Sequence, residues 1–142
     1  MSKRQDRHEV IRKVIADHEI HTQRELADLL QEQGFDCTQA TISRDVVDLG
    51  LIKSKDGCYA LPEELRLARL SADMVISVQA ACNLVVVKTL PGAAQSVSAA
   101  LDDVSLEGAL GTVAGDDTIM IAALTYEDAD AVAERIERLR RR

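Results

Sequence analysis

The sequence predicts an α+β protein built in two parts, and three observations carry that prediction. Up to about position 50, three short stretches show helical periodicity and are separated by helix-capping and helix-ending residues. An Asp-Gly pair at 56–57 lies between two short apolar runs, which is typical of a β-hairpin. Beyond residue 73, β-branched runs and helical segments follow in the order β-β-α-β-β-α. With 142 residues and 46% hydrophobic side chains, the chain suits one domain or two small ones, and wholesale disorder is excluded.

The first part is predicted to contain three helices. Thr22 and Glu25 have the spacing of a capping box and open the second helix, which ends at Gly34. Thr38 opens the third helix, and Gly50 ends it. The predicted buried edges are Val10, Ile11, Val14 and Ile15 in the first helix, Leu26, Ala27, Leu29 and Leu30 in the second, and Ile42, Val46 and Leu49 in the third. Short helices at this spacing indicate a small trihelical DNA-binding unit.

A hairpin and a connection follow the helices. Residues 51–55 and 58–61 are predicted as strands around the Asp-Gly turn, and Pro62 opens a short polar helix that ends near Leu70. We therefore expect a DNA-binding domain over residues 1–61, a linker over 62–72 and a second domain over 73–142.

The second part reads as one sheet with helices on one face. Strands are expected over residues 74–78, 84–90, 110–114 and 118–124, and helices over 91–101 and 127–139. The run Val85-Val86-Val87 predicts a strand that is buried on both faces. Residues 115–117 form an evident tight turn between the last two strands.

The charge of the chain is unevenly distributed. The net charge is −7, but residues 71–134 hold one lysine against ten acidic residues, and residues 135–142 hold five arginines and one glutamate. This asymmetry suggests two parts with different partners. No apolar stretch approaches the length of a membrane span and no secretory signal is visible at the start, so we expect a cytoplasmic protein without a membrane partner.

The third helix carries the residues that suit nucleic acid. Short hydroxyl side chains suit phosphate oxygens, and Gln and Arg suit base edges in the major groove. The candidate DNA-binding residues are Thr38, Gln39, Thr41, Ser43 and Arg44 on this helix, together with Lys53 and Lys55 on the hairpin. Taken singly, each is an ordinary solvated residue, and only the combination favours DNA. Asp45, Asp48 and Asp56 lie beside them in sequence, which predicts weak non-specific binding.

Three motifs give the chain a family resemblance. The segment TQATISRD at 38–45 resembles the recognition-helix signature of bacterial arginine repressors, a winged helix-turn-helix family. PGAAQ at 91–95 and GTVAGDDT at 111–118 resemble the two effector-domain motifs of that family. The motifs occur in the family's order, and the resemblance covers residues 5–140.

The resemblance implies an arginine-responsive transcriptional regulator, not an enzyme. In the family the second domain forms trimers, two trimers stack into a hexamer, and L-arginine binds at the subunit interfaces as the effector, with operator DNA as the other partner. The matching positions here are Gln95 and Asp102 for the amino-acid end, Thr112 and Ala114 for the lining, and Asp116 and Asp117 for the guanidinium. A carboxylate suits a guanidinium because it accepts two parallel charge-assisted hydrogen bonds. Gln95 and Asp102 lie seven residues apart and so share one helix face.

Other interpretations remain open from the residues alone. Gly-Asp-Asp between strands also occurs where paired carboxylates hold magnesium in polymerases, and aspartates also serve turns. The second domain could bind another cationic or amino-acid effector, or the protein could be an enzyme with an incidental three-helix unit. The sequence offers no recognisable catalytic constellation and no metal site, and no cofactor besides L-arginine is expected.

The remaining reactive side chains are expected to be unremarkable in role. We interpret Cys37, Cys58 and Cys82 as free thiols, and His8, His18 and His21 as surface or packing residues, since we expect nothing near His18 and His21 to offer a third metal ligand. The terminal arginines, 135, 138 and 140–142, stabilise a helix C-terminus or contact DNA or an acidic domain.

Overall fold

The computed structural model describes residues 2–142, and the chain divides after Pro62 into two compact units. Both units combine helices with antiparallel strands, which confirms the α+β class. Among the described residues, no helix has both the length and the apolar character needed to cross a membrane.

The first unit packs three helices around one apolar core. They are α1 (Lys3–Asp17), α2 (Gln23–Glu32) and α3 (Gln39–Asp48). The buried side chains of this core are Ile11, Val14, Ile15, Ile20, Leu26, Leu30, Ile42, Leu51 and Leu61. Each such side chain contributes about 1.5–3 kcal/mol by leaving water. Six of the nine belong to the predicted helical stripes, whereas Ile20, Leu51 and Leu61 lie outside them.

Helix capping differs from the sequence expectation at α2. Thr22 caps this helix as predicted, because its Oγ1 accepts from the Glu25 backbone N–H at 3.1 Å. The Glu25 carboxylate, however, accepts from the backbone N–H of His21 at 2.7 Å, one residue before the cap. This hydrogen bond is the main cause of a lowered pKa for Glu25. A capping box with both bonds occurs instead at Ser2 and Gln5, at the start of α1.

The hairpin after α3 is shorter than predicted. Its strands are β1 (Ile52–Lys53) and β2 (Tyr59–Ala60), paired antiparallel. The Ser54 N–H donates to the Cys58 carbonyl at 2.8 Å, and Gly57 takes a φ of +79°, so the turn uses residues expected to extend the strands. The second strand also contacts the turn between α1 and α2, because the Tyr59 N–H donates to the Ile20 carbonyl at 2.7 Å.

The segment expected to be a linker, residues 62–72, is helical throughout. Helix α4 spans Pro62–Met74, beyond the predicted end near Leu70, and its Leu67 belongs to the core of the second unit. Glu64, 2% exposed, pairs with the guanidinium of Arg135, and its Oε2 lies 3.7 Å from Nη1 of Arg142. Burial raises the pKa of Glu64, and the two arginines offset only part of that rise. The helix is longer than expected because apolar residues among its polar ones, Leu67, Leu70 and Met74, pack on the core of the second unit.

The second unit is a four-stranded antiparallel sheet with two further helices. Its elements are β3 (Val75–Ala81), β4 (Leu84–Thr89), α5 (Ala94–Asp103), β5 (Ala109–Ala114), β6 (Thr118–Ala123) and α6 (Tyr126–Arg140). The strand order in the sheet is β3-β4-β6-β5. Along the chain, the order of elements from β3 to α6 confirms the predicted β-β-α-β-β-α pattern, with helix and strand ends shifted by a few residues.

One face of this sheet forms the core and the other faces outward. Val85 and Val87 are fully buried in the core that the sheet forms with the apolar sides of α5 and α6. Val86 lies on the opposite face of the sheet and is half-buried. The expectation that β4 is buried on both faces is therefore wrong for the single chain. Val113 and Met120, on the outward face of β5 and β6, are exposed.

Candidate functional site

The N-terminus of α3 is organised by two hydroxyl side chains. Thr38 is the N-cap residue, and its Oγ1 accepts from the Thr41 backbone N–H at 3.3 Å. The two threonine hydroxyl oxygens lie 3.0 Å apart. Thr38 is exposed and Thr41 half-buried, so this end presents hydroxyls and helix N–H groups together, the combination that suits a phosphate.

The other polar residues predicted on α3 do not share one environment. Gln39 and Arg44 are exposed, as a base-reading residue must be. Ser43 is half-buried, and its hydroxyl donates to Gln23 Oε1 of α2 at 2.8 Å. The structure therefore places Ser43 at the α2–α3 contact, away from the open face on which we expected it.

The open face of α3 includes two apolar residues that sequence reasoning missed. Ala40 and Val47 are exposed, and Val47 is 77% exposed. Ala40, Arg44 and Val47 follow the spacing i, i+4, i+7 and so lie on one helix face. Applying the i, i+4, i+7 spacing to the side of the helix opposite Ile42 would have identified both residues from the sequence.

Asp45 lies on the buried side of α3, not beside the open face. Its carboxylate accepts from Arg7 Nε at 2.5 Å and Arg7 Nη2 at 2.9 Å, and it lies 2.9 Å from His8 Nε2. Burial pushes the pKa of Asp45 upward, but the hydrogen bonds from Arg7 and His8 prevail and leave that pKa below its usual value. The hydrogen bond with Asp45 likewise raises the pKa of Arg7.

The acidic residues near the candidate DNA contacts are thus mostly compensated within the unit. Asp48 Oδ2 accepts from Arg4 Nη2 at 2.6 Å, and Asp45 is paired with Arg7. The third of these aspartates, Asp56 at the hairpin turn, is exposed and has no such pair among residues 2–142. Of the three aspartates that lie beside these contacts in sequence, Asp45 is therefore buried away from the open face and Asp48 is paired with Arg4.

The hairpin presents both predicted lysines to solvent. Lys53 and Lys55 are exposed, and the Lys53 ammonium lies 5.2 Å from the centroid of the Tyr59 ring. This cation–π contact holds Lys53 against the second strand, on which the tyrosine lies.

In the second unit, the structure brings the two distant motifs together. The Gln95 side-chain amide donates to the Ala114 carbonyl at 3.0 Å. Two helical turns further along α5, the Asp102 carboxylate accepts from the Thr112 hydroxyl at 2.7 Å. Ser98, which sequence reasoning missed, lies between them on α5 and donates to Thr112 at 3.2 Å. A continuous polar strip therefore joins α5 to β5.

The acidic pair lies in the turn between β5 and β6, and its two members differ. The Asp116 side chain is exposed, and the backbone carbonyl of Asp116 accepts from the Ala94 N–H, at the start of α5, at 3.2 Å. Asp117 accepts from the Thr118 hydroxyl at 2.8 Å and lies 3.4 Å from the Lys88 ammonium. The Thr118 hydrogen bond first, and then Lys88, lower the pKa of Asp117.

Lys88 is a second residue that the sequence analysis missed. Its ammonium also donates to the Thr118 hydroxyl at 2.6 Å, so it contacts both residues at the end of the acidic turn. One signal was available, since Lys88 is the single basic residue between positions 71 and 134.

Comparison with known proteins identifies both units. Residues 2–67 match the family model described as "Arginine repressor, DNA binding domain", and residues 71–138 match "Arginine repressor, C-terminal domain". A curated arginine repressor of Carboxydothermus hydrogenoformans is 46% identical over 142 residues, covering 92% of this chain and 95% of the relative. That of Desulforudis audaxviator is 49% identical over 127 residues (82% and 85%), and that of Bacillus subtilis 40% over 140 residues (92% and 94%). The chain therefore belongs to the arginine repressor family and is a DNA-binding transcriptional regulator of arginine metabolism, not an enzyme.

Proposed function

We propose that L-arginine is the co-repressor of this protein and binds on the polar strip between α5 and β5. Gln95 and Asp102 would hold the amino-acid end of the ligand, and Thr112 and Ala114 would line the site. Asp116 and Asp117 would reach the guanidinium of an arginine held mostly by a neighbouring subunit, so that the ligand bridges two subunits.

The observation that carries this proposal is the pair of hydrogen bonds that join α5 to β5. Gln95 donates to the Ala114 carbonyl, and Thr112 donates to Asp102, so donor and acceptor groups from two distant motifs already converge. Such convergence of polar groups is typical of a ligand site. The backbone carbonyl of Asp116 accepts from the Ala94 N–H, which holds this residue beside the strip. Its exposed carboxylate supplies a negative charge for a cationic ligand.

We further propose that α3 enters the major groove of operator DNA. Gln39 and Arg44 would read base edges, and the exposed Ala40 and Val47 would contact thymine methyl groups. Thr38 and Thr41, with Lys53 and Lys55 of the hairpin, would contact phosphates. Ser43 is better assigned to holding α3 against α2, because its hydroxyl donates to Gln23.

The assembly we propose is a trimer that pairs into a hexamer. The outward face of the sheet supports it, since the apolar side chains of Val113 and Met120 are at least 50% exposed in the single chain. Residues 1–61 would act as the DNA-binding domain and residues 73–142 as the arginine-binding and oligomerisation domain. Residues 62–72 would join them as part of α4, whose Leu67 packs in the core of the second unit. The protein would work in the cytoplasm.

The test is binding of a labelled palindromic arginine-box duplex with and without millimolar L-arginine at physiological salt. We expect arginine to tighten binding of the parent protein. Asp116→Asn and Asp117→Asn should each weaken this response, because a neutral amide accepts a guanidinium less strongly than a carboxylate.

The matched control is Asp130→Asn, which neutralises an exposed acid on α6 and should respond like the parent. If both site variants respond to arginine as the parent does, the assigned effector site is wrong. Lysine, ornithine and citrulline, added in place of arginine, would identify another effector if one of them tightens binding more.

A further inference from the structure

Three side chains with metal-binding donors meet in the first unit, outside the sites described above. They are Glu19 and His21, in the turn between α1 and α2, and Cys58, directly before β2. One donor atom from each lies within 4.8 Å of the other two. Cys58 Sγ lies 3.7 Å from each of the two ring nitrogens of His21.

The backbone around these residues fixes their separation. The Tyr59 N–H donates to the Ile20 carbonyl at 2.7 Å, which holds the residue after Cys58 to the residue between Glu19 and His21. The His21 N–H donates to Glu25, so its own backbone is anchored to α2. The donors therefore come together through the fold, although 37 residues separate His21 from Cys58. Our expectation that His21 has no third ligand nearby is wrong in three dimensions.

We propose that Glu19, His21 and Cys58 form a binding site for a divalent cation of the Zn²⁺ type, with water as the fourth ligand. A tetrahedral zinc site with a Zn–S distance of about 2.3 Å and a Zn–N distance of about 2.0 Å separates sulfur from nitrogen by about 3.5 Å. The observed 3.7 Å is close to this separation. Glu19 and His21 are exposed, so a side-chain rotation can direct their donor atoms at the metal.

The charges of the donor set also match a divalent cation. On binding, the Cys58 thiol releases its proton to solvent, and His21 coordinates through a neutral ring nitrogen. The thiolate and the Glu19 carboxylate then balance the two positive charges of the metal. A sulfur, nitrogen and oxygen donor set favours Zn²⁺ over Mg²⁺ or Ca²⁺, which prefer oxygen ligands alone.

A second cluster in the same unit offers a useful contrast. His8, Asp45 and Asp48 also bring donor atoms together, but both carboxylates already accept hydrogen bonds from guanidinium groups, Asp45 from Arg7 and Asp48 from Arg4. A metal there would have to displace two arginines. The cluster with Cys58 is therefore the one we assign.

The consequence we infer is a clamp on the hairpin. A metal bound by all three residues would join β2 to the turn between α1 and α2 and restrict the hairpin that carries Lys53 and Lys55. An effect on DNA affinity rests on the proposed role of this hairpin, whereas the binding of metal does not.

The experiment is a titration of the full-length, chelator-treated protein with Zn²⁺ alone, followed by calorimetry, and with Co²⁺, followed by the absorption of a thiolate–cobalt bond. We expect one metal ion per chain. Loss of one orienting partner of a ligand already weakens metal binding by about 10–100-fold, so removing a ligand should cost at least as much. The variants are Glu19→Gln, His21→Ala and Cys58→Ser, with His18→Ala and Cys82→Ser as matched controls.

The outcomes separate the site from its consequence. Weakened binding in the three variants, with wild-type binding in the controls, supports the site. Because Glu19 and His21 are exposed, their variants keep the fold even if Cys58→Ser does not. Wild-type affinity in His21→Ala and Glu19→Gln, or a cobalt complex without thiolate absorption, overturns the site and leaves the DNA-binding proposal intact. Binding of Zn²⁺ without any change in operator affinity overturns the clamp alone.

Discussion

Asp45 shows how a single buried charge orients α3, the helix that we propose to enter DNA. Its carboxylate is 2% exposed and accepts two hydrogen bonds from Arg7 of α1, in the paired geometry that suits a guanidinium. Removing one partner from a buried ion pair costs about 3–5 kcal/mol, because the other charge stays desolvated. Asp45 therefore couples the orientation of α3, and of Gln39 and Arg44 on its open side, to α1.

We expect Asp45→Asn to lower the free energy of unfolding of the first unit by about 3 kcal/mol at neutral pH. The pKa of Asp45 is below its usual value in the folded protein. The carboxylate therefore stabilises fully above the usual Asp range, and this contribution is lost as the pH falls through the lowered pKa. Urea unfolding, followed by circular dichroism across pH, measures both effects.

The control for this variant is Asp48→Asn, which removes an exposed ion pair with Arg4 and should cost no more than about 1 kcal/mol. Equal losses in the two variants would mean that burial of Asp45 contributes nothing. A difference between parent and Asp45→Asn that grows as the pH falls would contradict the assigned sign.

Arg44 tests whether the open face of α3 reads bases. If it does, Arg44→Ala should cost about 1–3 kcal/mol in operator binding and relax specificity at one position of the site. Lys53→Ala, by comparison, should weaken binding to all sequences alike and lower the salt dependence by about one unit. Binding titrations on operator variants at several salt concentrations distinguish the two patterns, and unchanged specificity in Arg44→Ala would exclude base reading.

Among the elements, α4 is the one whose local sequence conceals its role. Its polar residues suggested a connection, but Leu67 is fully buried in the core of the second unit and Glu64 is paired there with Arg135. A buried leucine truncated to alanine costs about 2–5 kcal/mol, whereas an exposed residue costs little. We therefore expect Leu67→Ala to destabilise the second unit and Arg69→Ala, on the exposed side of α4, to leave it unchanged.

Native-state hydrogen exchange checks this expectation, because it reports each unit separately. In Leu67→Ala, the amides of β4 and β6 should lose protection while those of α1 to α3 keep theirs. Loss of protection in the three N-terminal helices instead would assign α4 to the first unit.

The elements also show what the sequence could and could not predict. Hydrophobic periodicity located the three N-terminal helices and the β-β-α-β-β-α order, because burial on one face leaves a repeat in the chain. Periodicity does not report which polar group pairs with which. The contacts of Ser43 with Gln23, Asp45 with Arg7, and Lys88 with Asp117 were therefore missed, since each joins residues at least 20 positions apart.

For the proposed effector site, motif resemblance selected residues that the fold brings together. Gln95 and Asp102 share α5 as their spacing predicts, and both bond to β5. Ser98 lies three residues after Gln95 and four before Asp102, so the same helical spacing would have placed it on this face of α5. The spacing gave no indication of Lys88, because its contacts with Thr118 and Asp117 depend on the register of β4 with β6, which is a property of the assembled sheet.

At the scale of the whole molecule, the distribution of charge favours DNA binding by an assembly over binding by a single chain. The stretch from residue 71 to 134 has a net charge of −9, and the first 70 residues a net charge of −2, so a single chain gains little from general attraction to DNA. Several DNA-binding units held in one oligomer raise the effective concentration of each at its half-site. An effector that stabilises the assembly would then control operator affinity without contacting DNA.

This mechanism predicts a reciprocal coupling between L-arginine and operator DNA. If arginine raises operator affinity by some factor, operator must raise arginine affinity by the same factor, because both describe one thermodynamic cycle. The two factors are measured by DNA titration with and without arginine, and by calorimetry of arginine with and without duplex. Protein concentration has to be held where the oligomer does not change, since subunit association adds its own linkage. In Asp116→Asn both factors should fall together towards one. Operator affinity that rises with arginine while arginine affinity ignores the operator would mean that DNA binding changes the oligomer itself, and bridging by arginine would not explain the coupling.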